Sequence, residues 1–162
     1  MFEMTRSSME WTERAPQSLA FEQELEASCG EVFEILADPA SWPEWFPEFE
    51  RVEWVTEGQP GVGSRRQIWM GPLRAEEEFL VWEAGERFAF TMTEMSLPLA
   101  ERLVEDYRLT SIGEGRCRLD WAVYFEPPWY LKPVAPLVVP AARWSFGRAM
   151  ESLAEYVRGR SV

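Results

Sequence analysis

Asp38-Pro-Ala-Ser-Trp-Pro-Glu-Trp-Phe-Pro-Glu-Phe49 is an aromatic turn that holds two Trp and two Phe between prolines. The residues before it predict a helix, because Ser28 can cap the backbone and Glu31 lies at the capping-box spacing. That helix is expected to end at Asp38, since a residue that precedes proline disfavours the helical conformation. The turn therefore follows directly on the first helix of the chain.

Two further elements are predicted around this turn. Ser41 repeats the capping pattern with Pro43 in the first turn, so a second, short helix is expected to end at Pro47. A first strand is expected over Leu19–Glu26, ahead of both helices, because its polar and apolar residues partly alternate.

From Phe49 onward the hydrophobic period changes to two residues, which is typical of strands. Short turns containing Gly or Pro separate these segments and indicate an antiparallel meander. Within Glu76–Glu83 the alternation is poor, so a bulge could turn either set of side chains inward. The predicted strands are Phe49–Glu57, Ser64–Met70, Leu73–Glu83, Arg87–Glu94, Arg102–Ser111 and Arg116–Glu126.

The last predicted element is a long C-terminal helix that follows the proline-rich segment Pro127–Pro136. Trp144 falls on its polar side, where it could cover the N-terminal residues, pack on the proline segment or lie in an oligomer contact. The apolar face of this helix comprises Val139, Ala142, Phe146, Ala149, Met150, Leu153 and Val157.

The composition argues against several kinds of partner and site. A formal net charge of −12 disfavours nucleic acid and anionic membrane surfaces. The chain has no His, and its two Cys do not make a disulfide framework or a plausible zinc site, so we expect no metal and no cofactor. The aromatic content of 14%, with nine Trp, indicates either a large core or an aromatic pocket.

The length of 162 residues fits one domain. Residues 1–16 lack periodicity and are predicted to form a flexible N-terminal arm, with the domain spanning residues 17–162. Pro133–Ala142, the longest apolar stretch, is too short and too rich in proline to span a bilayer. Because the N-terminal residues also lack the pattern of a signal peptide, we expect a cytoplasmic protein without membrane insertion.

With this order of elements, the chain resembles the START-like (SRPBCC) superfamily, in its polyketide cyclase/dehydrase-like branch. The resemblance runs from about Ser18 to about Arg158. It implies an α+β helix-grip fold, in which a curved antiparallel sheet of about seven strands surrounds the C-terminal helix. It also implies a deep cavity for lipids, polyketides, steroids or other apolar molecules. The motifs that carry it are Asp38 to Trp45, Gly61-Val-Gly63, Val81-Trp-Glu83, Tyr107-Arg-Leu109 and Arg148-Ala-Met-Glu-Ser-Leu153.

The apolar strand faces and the aromatic turn supply the candidate ligand-binding residues. Each of them alone could simply pack in the core, but one helix cannot fill the concave face of a long sheet, so surplus aromatic side chains would line a pocket. The predicted ligand-binding residues are Trp45, Phe46, Trp69, Phe79, Phe90, Met92, Tyr107, Trp121, Val123, Phe125, Phe146 and Met150.

Three polar residues are candidate anchors for a polar group of the ligand. Glu77 and Glu78 lie on one hairpin strand and Arg65 and Arg66 on its neighbour, so a carboxylate could lie opposite a guanidinium and either could face inward. From this group the candidate anchors are Arg66 and Glu78. Alternatively, these charged residues form only an exposed cross-strand ion pair and bind no ligand. The strand parity of Tyr107 points its hydroxyl inward, where it could bind a ligand. Alternatively, Tyr107 is a core residue whose hydroxyl bonds to another protein group.

Three functions are compatible with these patterns. The first is binding of an apolar or amphipathic small molecule, lipid-, polyketide- or aromatic-like, in an internal cavity. The second is a polyketide cyclase/aromatase or dehydratase in that cavity, for which no spacing singles out a catalytic residue; without His it would rely on Glu, Asp, Tyr or Arg. The third is a protein-interaction module in which Trp144 and the N-terminal arm form the contact of a homodimer.

Overall fold

The computed structural model describes residues 1–160 and contains one antiparallel sheet with a long helix against it. Seven strands lie in the order β2-β8-β7-β6-β5-β4-β3, and β1 pairs with β6. The predicted α+β helix-grip fold with about seven strands is therefore confirmed. The last two residues of the predicted domain 17–162 lie outside the described residues. The strands are β1 Phe2–Glu3, β2 Gln17–Leu25, β3 Arg51–Trp54, β4 Arg65–Met70, β5 Leu73–Glu83, β6 Arg87–Met95, β7 Arg102–Gly113 and β8 Arg116–Glu126.

Tight turns connect β4 to β5, β5 to β6 and β7 to β8. Gly85, between β5 and β6, has a φ of 79°, and Gly115, between β7 and β8, has a φ of 65°. Both values lie in the left-handed region that a side chain disfavours, which explains why glycine occupies these turns.

The two helices after β2 are α1, Cys29–Ala37, and α2, Trp42–Trp45. The Ser28 hydroxyl caps α1 by accepting a hydrogen bond from the backbone N–H of Glu31 at 3.2 Å, as the spacing predicts. Ser41, in contrast, makes no side-chain cap for α2. Its buried hydroxyl donates to the backbone carbonyl of Ile35 and so ties α2 back to α1.

The first strand of the meander is shorter than the predicted Phe49–Glu57. Phe49 packs with its ring centroid 4.7 Å from that of Phe46, inside the aromatic turn and ahead of the strand. At the other end, the backbone N–H groups of Val55 and Thr56 both donate to the carbonyl of Arg65, which ends the regular ladder. Regular pairing is therefore confined to β3.

Irregular pairing between β5 and β6 decides which side chains of β5 face inward. The register shifts between Glu76 and Glu77 and again between Phe79 and Val81. Glu77 and Phe79 are buried at 2% and 1% exposure, whereas Glu78 between them turns to the other face. This answers the question of parity that the sequence left open in this strand.

The C-terminal helix α3, Ala135–Arg160, follows a 3-10 helix over Trp129–Val134. Its apolar face is the one that the periodicity predicts. The buried residues of α3 lie in its C-terminal half, at Ala149, Met150, Leu153, Ala154 and Val157, while Val139, Ala142 and Phe146 are half-buried in its N-terminal half.

Within residues 1–160, no helix is both long and apolar enough to cross a membrane.

Residues 1–16, predicted as a flexible arm, pack along the sheet. The backbone N–H of Met4 donates to the carbonyl of Thr93 at 2.9 Å, and that of Ser7 donates to the hydroxyl of Thr91 at 3.2 Å. Trp11 is buried. The arm thus covers part of the sheet face opposite α3, and its flexibility stays a prediction.

Candidate ligand cavity

A cavity of about 210 Å³ lies between the sheet and the N-terminal half of α3, and it opens to the surface beside the exposed side chains of Leu99 and Val138. Its walls come from β2, from β4 to β8 and from the aromatic turn around α2, and most of its lining is apolar. Val139, Ala142 and Phe146 close it on the helix side. The cavity lies where α3 leaves the core, because only the C-terminal turns of that helix are fully buried.

Most of the predicted ligand-binding residues line this cavity. They come from β6, β7, β8, α3 and the end of the aromatic turn, so the strand parity read from the sequence correctly selects inward side chains. The predicted residues that line it are Phe46, Phe90, Met92, Tyr107, Trp121, Val123, Phe125 and Phe146.

Four predicted ligand-binding residues do not line the cavity. Trp45, Phe79 and Met150 are buried in the adjoining core, where Phe79 packs its ring 5.2 Å from that of Trp54. Trp69 lies on the opposite face of β4 from Ile68, with the guanidinium of Arg51 3.9 Å from its ring centroid. At these positions the sequence did not show whether a side chain packs in the core, lies on the outer face or lines the cavity.

A carboxyl, a phenol and an indole meet at one wall of the cavity. The Tyr107 hydroxyl donates to Oε2 of Glu105 at 2.8 Å, and the Trp121 indole N–H donates to the same oxygen at 2.9 Å. The Tyr107 ring is stacked between those of Phe88 and Trp121, with centroids at 4.7 and 5.4 Å. This packing fixes the direction of the phenol, so Glu105 is held at the cavity wall.

Burial changes the protonation of this cluster. Desolvation, aided by the nearby carboxylate of Glu77, raises the pKa of Glu105 to about 7. The hydrogen bonds from Tyr107 and Trp121, and the charge of Arg66, oppose that rise. Burial, followed by the charge of Glu105, raises the pKa of Tyr107 well above its usual value. Near neutral pH the cavity wall therefore presents a neutral phenol and a carboxyl that readily gains or loses a proton.

Arg66 and Glu77 form a second buried polar pair. Nε of Arg66 donates to Oε2 of Glu77 at 2.6 Å, and the two side chains are 1% and 2% exposed. Glu77 lines the cavity, while the guanidinium of Arg66 lies behind it, 4.9 Å from the ring centroid of Trp42 and 5.2 Å from that of Phe79. Burial raises the pKa of Glu77, and the guanidinium of Arg66 opposes that rise.

The strand register shows which carboxylate lies opposite Arg66, a choice that the sequence left open. The β4–β5 register sets Arg66 opposite Glu77 and Arg65 opposite Glu78. Glu78 consequently lies on the far face of the sheet, where it pairs with Arg6 of the N-terminal arm at 3.1 Å. Glu78, the carboxylate selected as a candidate anchor, therefore does not line the cavity, whereas Glu77 does.

Residues 16–158 match the family model described as polyketide cyclase / dehydrase and lipid transport. The chain belongs to this family. Mycobacterium tuberculosis H37Rv protein Rv2574 is 30% identical over 161 residues, which cover 99% of this chain and 96% of that protein. The predicted membership of the START-like superfamily, in its polyketide cyclase/dehydrase-like branch, is confirmed.

Solved structures agree with this fold. The Zhui aromatase/cyclase from Streptomyces sp. R1128 superposes with a TM-score of 0.73 at 16% identity, covering 90% of this chain and 96% of that one. A START superfamily protein from Mycobacterium smegmatis gives a TM-score of 0.67 at 14% identity, covering 88% and 95%. At these identities the likeness concerns the fold alone.

In this member of the polyketide cyclase / dehydrase and lipid transport family, the sequence prediction missed one cavity carboxyl, Glu105, and selected Glu78 where its neighbour Glu77 lines the cavity. Glu105 lies two residues before Tyr107 on the same strand, so the parity that placed Tyr107 inward would also have placed Glu105 there. The choice between Glu77 and Glu78 had no such signal, because the poor alternation of this strand allows either parity and only the register shifts decide it. Among residues 1–160, no group of three or more acidic or Cys side chains could hold a metal ion.

Proposed function

We propose that this protein binds an apolar or amphipathic small molecule, lipid-, polyketide- or aromatic-like, in the cavity beneath α3. The observation that carries the proposal is a cavity of about 210 Å³ lined chiefly by aromatic and aliphatic side chains, with its few polar groups held in place. Burying apolar ligand surface would supply the affinity, at roughly 25 cal/mol per Å². The family description, which includes lipid transport, supports the same function.

Mass spectrometry of the molecules that co-purify with the protein tests this proposal. The purified chain is denatured, extracted with organic solvent and compared with an Ala142→Phe variant, in which a larger side chain projects into the cavity. We expect an apolar compound that is abundant in the wild-type extract and depleted in the variant extract. Identical extracts from the two proteins would count against binding in this cavity.

Catalysis in the same cavity is a second candidate function. It is favoured by Glu105, whose pKa of about 7 suits proton transfer near neutral pH, and by Tyr107 bonded to it. In this case the activity would be of the cyclase/aromatase or dehydratase kind on a polyketide-like substrate. Tyr107→Phe would then abolish turnover and spare substrate binding, whereas unchanged turnover would argue against a role for this phenol.

Self-association through Trp144 is a separate proposal. The Trp144 side chain is 65% exposed, and its ring centroid is 5.1 Å from the guanidinium of Arg148. If this residue forms a homodimer contact, Trp144→Ala shifts the sedimentation coefficient from dimer to monomer and leaves ligand uptake unchanged. A coefficient that does not change would exclude that contact.

The cytoplasmic location and the lack of nucleic-acid binding also stay predictions, based on composition.

A further inference from the structure

Of the two carboxyl oxygens of Glu105, only Oε2 accepts hydrogen bonds from the described residues, 1–160. Oε2 accepts hydrogen bonds from both Tyr107 and Trp121, at 2.8 and 2.9 Å. Oε1 has no hydrogen-bond partner among residues 1–160, although the residue lines the cavity. A carboxyl oxygen at the wall of an apolar cavity has lost most of its water, so a ligand atom is its natural partner.

The backbone of Glu105 is fixed in the centre of the sheet. It lies opposite Phe90 of β6 and opposite Val123 of β8, and both of these neighbours are apolar cavity residues. The position of the carboxyl is therefore set by two ladders as well as by its hydrogen bonds. A group held in this way can discriminate between ligands.

No cation neutralises Glu105 within the described part of the chain. The titratable and charged groups around it are Tyr107 on its own strand, Glu77 on β5 and Arg66 on β4. Arg66 is bonded to Glu77, and β6, β8 and α3 present apolar residues to this side of the cavity. An apolar ligand would remove the remaining water and favour the uncharged carboxyl further.

The position of the proton follows from these bonds. Oε2 accepts from both the Tyr107 hydroxyl and the Trp121 indole N–H, which together occupy its two lone pairs, so the proton of the acid form binds the other oxygen. The acid form of Glu105 then carries its proton on Oε1, on the oxygen that the protein leaves without a partner.

We propose that Glu105 selects the ligand, by donating a hydrogen bond from Oε1 to a carbonyl oxygen at the buried end of an otherwise apolar molecule. This inference rests on the proposed binding function and names its ligand class: ketones, quinones or esters with a large apolar body. A buried ammonium group on the ligand would need the ionised carboxylate and belongs to a different class.

Calorimetric titration with three matched probes tests this inference: 1-tetralone, its hydrocarbon tetralin, and 1-aminotetralin. At about pH 6 we expect the ketone to bind about tenfold more tightly than the hydrocarbon, the effect of one buried hydrogen bond. The preference should disappear by about pH 9, since a carboxylate cannot donate and repels a carbonyl oxygen. Tightest binding of the amine would overturn the inference.

Two substitutions sharpen the test. In Glu105→Gln the amide N–H₂ can replace the Oε1 hydroxyl while the amide oxygen accepts from Tyr107 and Trp121, so the ketone preference should persist and lose its pH dependence. Glu78→Gln, on the opposite face beside Arg6, is the matched control and should behave as the wild type. A Glu105→Gln variant that folds but prefers neither ketone nor hydrocarbon would refute the role of Oε1.

The outcomes separate this inference from the function on which it rests. If tetralone and tetralin both bind with equal affinity to the wild type, the cavity binds apolar molecules but Glu105 does not select them. If neither binds, and an apolar dye such as N-phenyl-1-naphthylamine does not bind either, both the binding function and this inference fail.

Discussion

Glu77 and Glu78 are adjacent carboxylates with opposite environments. Glu77 is 2% exposed and bonded to the buried guanidinium of Arg66, whereas the side chain of Glu78 is 22% exposed and pairs with Arg6, which is 63% exposed. A buried charge that loses its partner is much costlier than an exposed one, because no water replaces the lost interaction. The two residues therefore form a matched pair for measuring the effect of burial.

Neutralising Glu77 should destabilise the protein strongly. We expect Glu77→Gln to lower the free energy of unfolding by about 3–5 kcal/mol, since it leaves Arg66 buried without a counter-charge. Glu78→Gln should change it by only about 0–1 kcal/mol. Urea denaturation of the two variants and the wild type measures both values.

A double variant separates the charge effect from packing. Glu77→Leu combined with Arg66→Met removes both charges, so the double variant should be more stable than Glu77→Gln. Equal effects of Glu77→Gln and Glu78→Gln would contradict the account of Arg66 and Glu77 as a buried pair.

Glu105 should make stability depend on pH. Its pKa is raised from 4.5 to about 7 in the folded protein, so the folded state holds a proton that the unfolded state releases between these values. This contribution to stability is fully present below pH 4.5 and is lost as the pH rises through about 7. The loss amounts to about 3 kcal/mol, at about 1.4 kcal/mol for each pKa unit.

Glu105→Gln cannot release this proton and provides the reference. The free energy of unfolding of the wild type minus that of the variant should therefore fall as the pH rises from about 4.5 to about 7.5. Urea denaturation at several pH values measures this difference. A difference that stays constant, or rises with pH, would show that Glu105 is not protonated in the folded protein.

Strand parity explains which site residues could be predicted. Tyr107, Trp121 and Val123 lie on regularly alternating strands, and their inward direction follows from the sequence. The direction of Glu77 depends on two register shifts between β5 and β6. A one-residue slip exchanges the two faces of a strand, so the sequence alone could not decide between Glu77 and Glu78.

At the level of elements, the thiols of Cys29 on α1 and Cys117 on β8 contact each other. Their sulfur atoms are 2.8 Å apart, although 88 residues separate them in the chain. Both thiols are free, with Cys117 buried and Cys29 partly accessible. Burial raises the pKa of Cys117 to about 12, so its thiolate is scarce and Cys29 should react first.

We expect mild oxidation to form a bond between these two thiols. Diamide would accept one hydrogen from each of them, giving a disulfide and reduced diamide. Closing a loop of this length should raise the free energy of unfolding by about 2–4 kcal/mol, and dithiothreitol should reverse the effect. Urea denaturation of the oxidised and reduced chains measures this change in the free energy of unfolding, with Cys29→Ser as the control. Two titratable thiols after treatment, or a bond between two chains, would contradict the prediction.

The two halves of the C-terminal helix pack in different environments. Met150, Leu153 and Val157 fill the core, whereas Ala142 and Phe146 belong to the half-buried turns that close the cavity. Helical periodicity predicts one continuous apolar face and cannot show where that face leaves the core, because this depends on the curvature of the sheet.

At the scale of the whole molecule, the order of elements and the helix-grip architecture could be predicted because the meander has short turns and regular alternation. The pairing of β1 with β6 could not, since two residues carry no periodic signal. The volume of the cavity could not be predicted either, because it depends on how the side chains of six strands and α3 pack together.

The central claim is that an apolar molecule occupies the space beneath α3. Ala141 and Ala142 are neighbours on this helix, but only Ala142 lines the cavity, and Ala141 is exposed. Fluorescence titration with the neutral dye N-phenyl-1-naphthylamine therefore compares Ala142→Phe with Ala141→Phe. We predict that Ala142→Phe weakens dye binding about tenfold or more, the loss of about 1.4 kcal/mol or more, while Ala141→Phe binds as the wild type does. Equal dye affinity in all three proteins would contradict the claim.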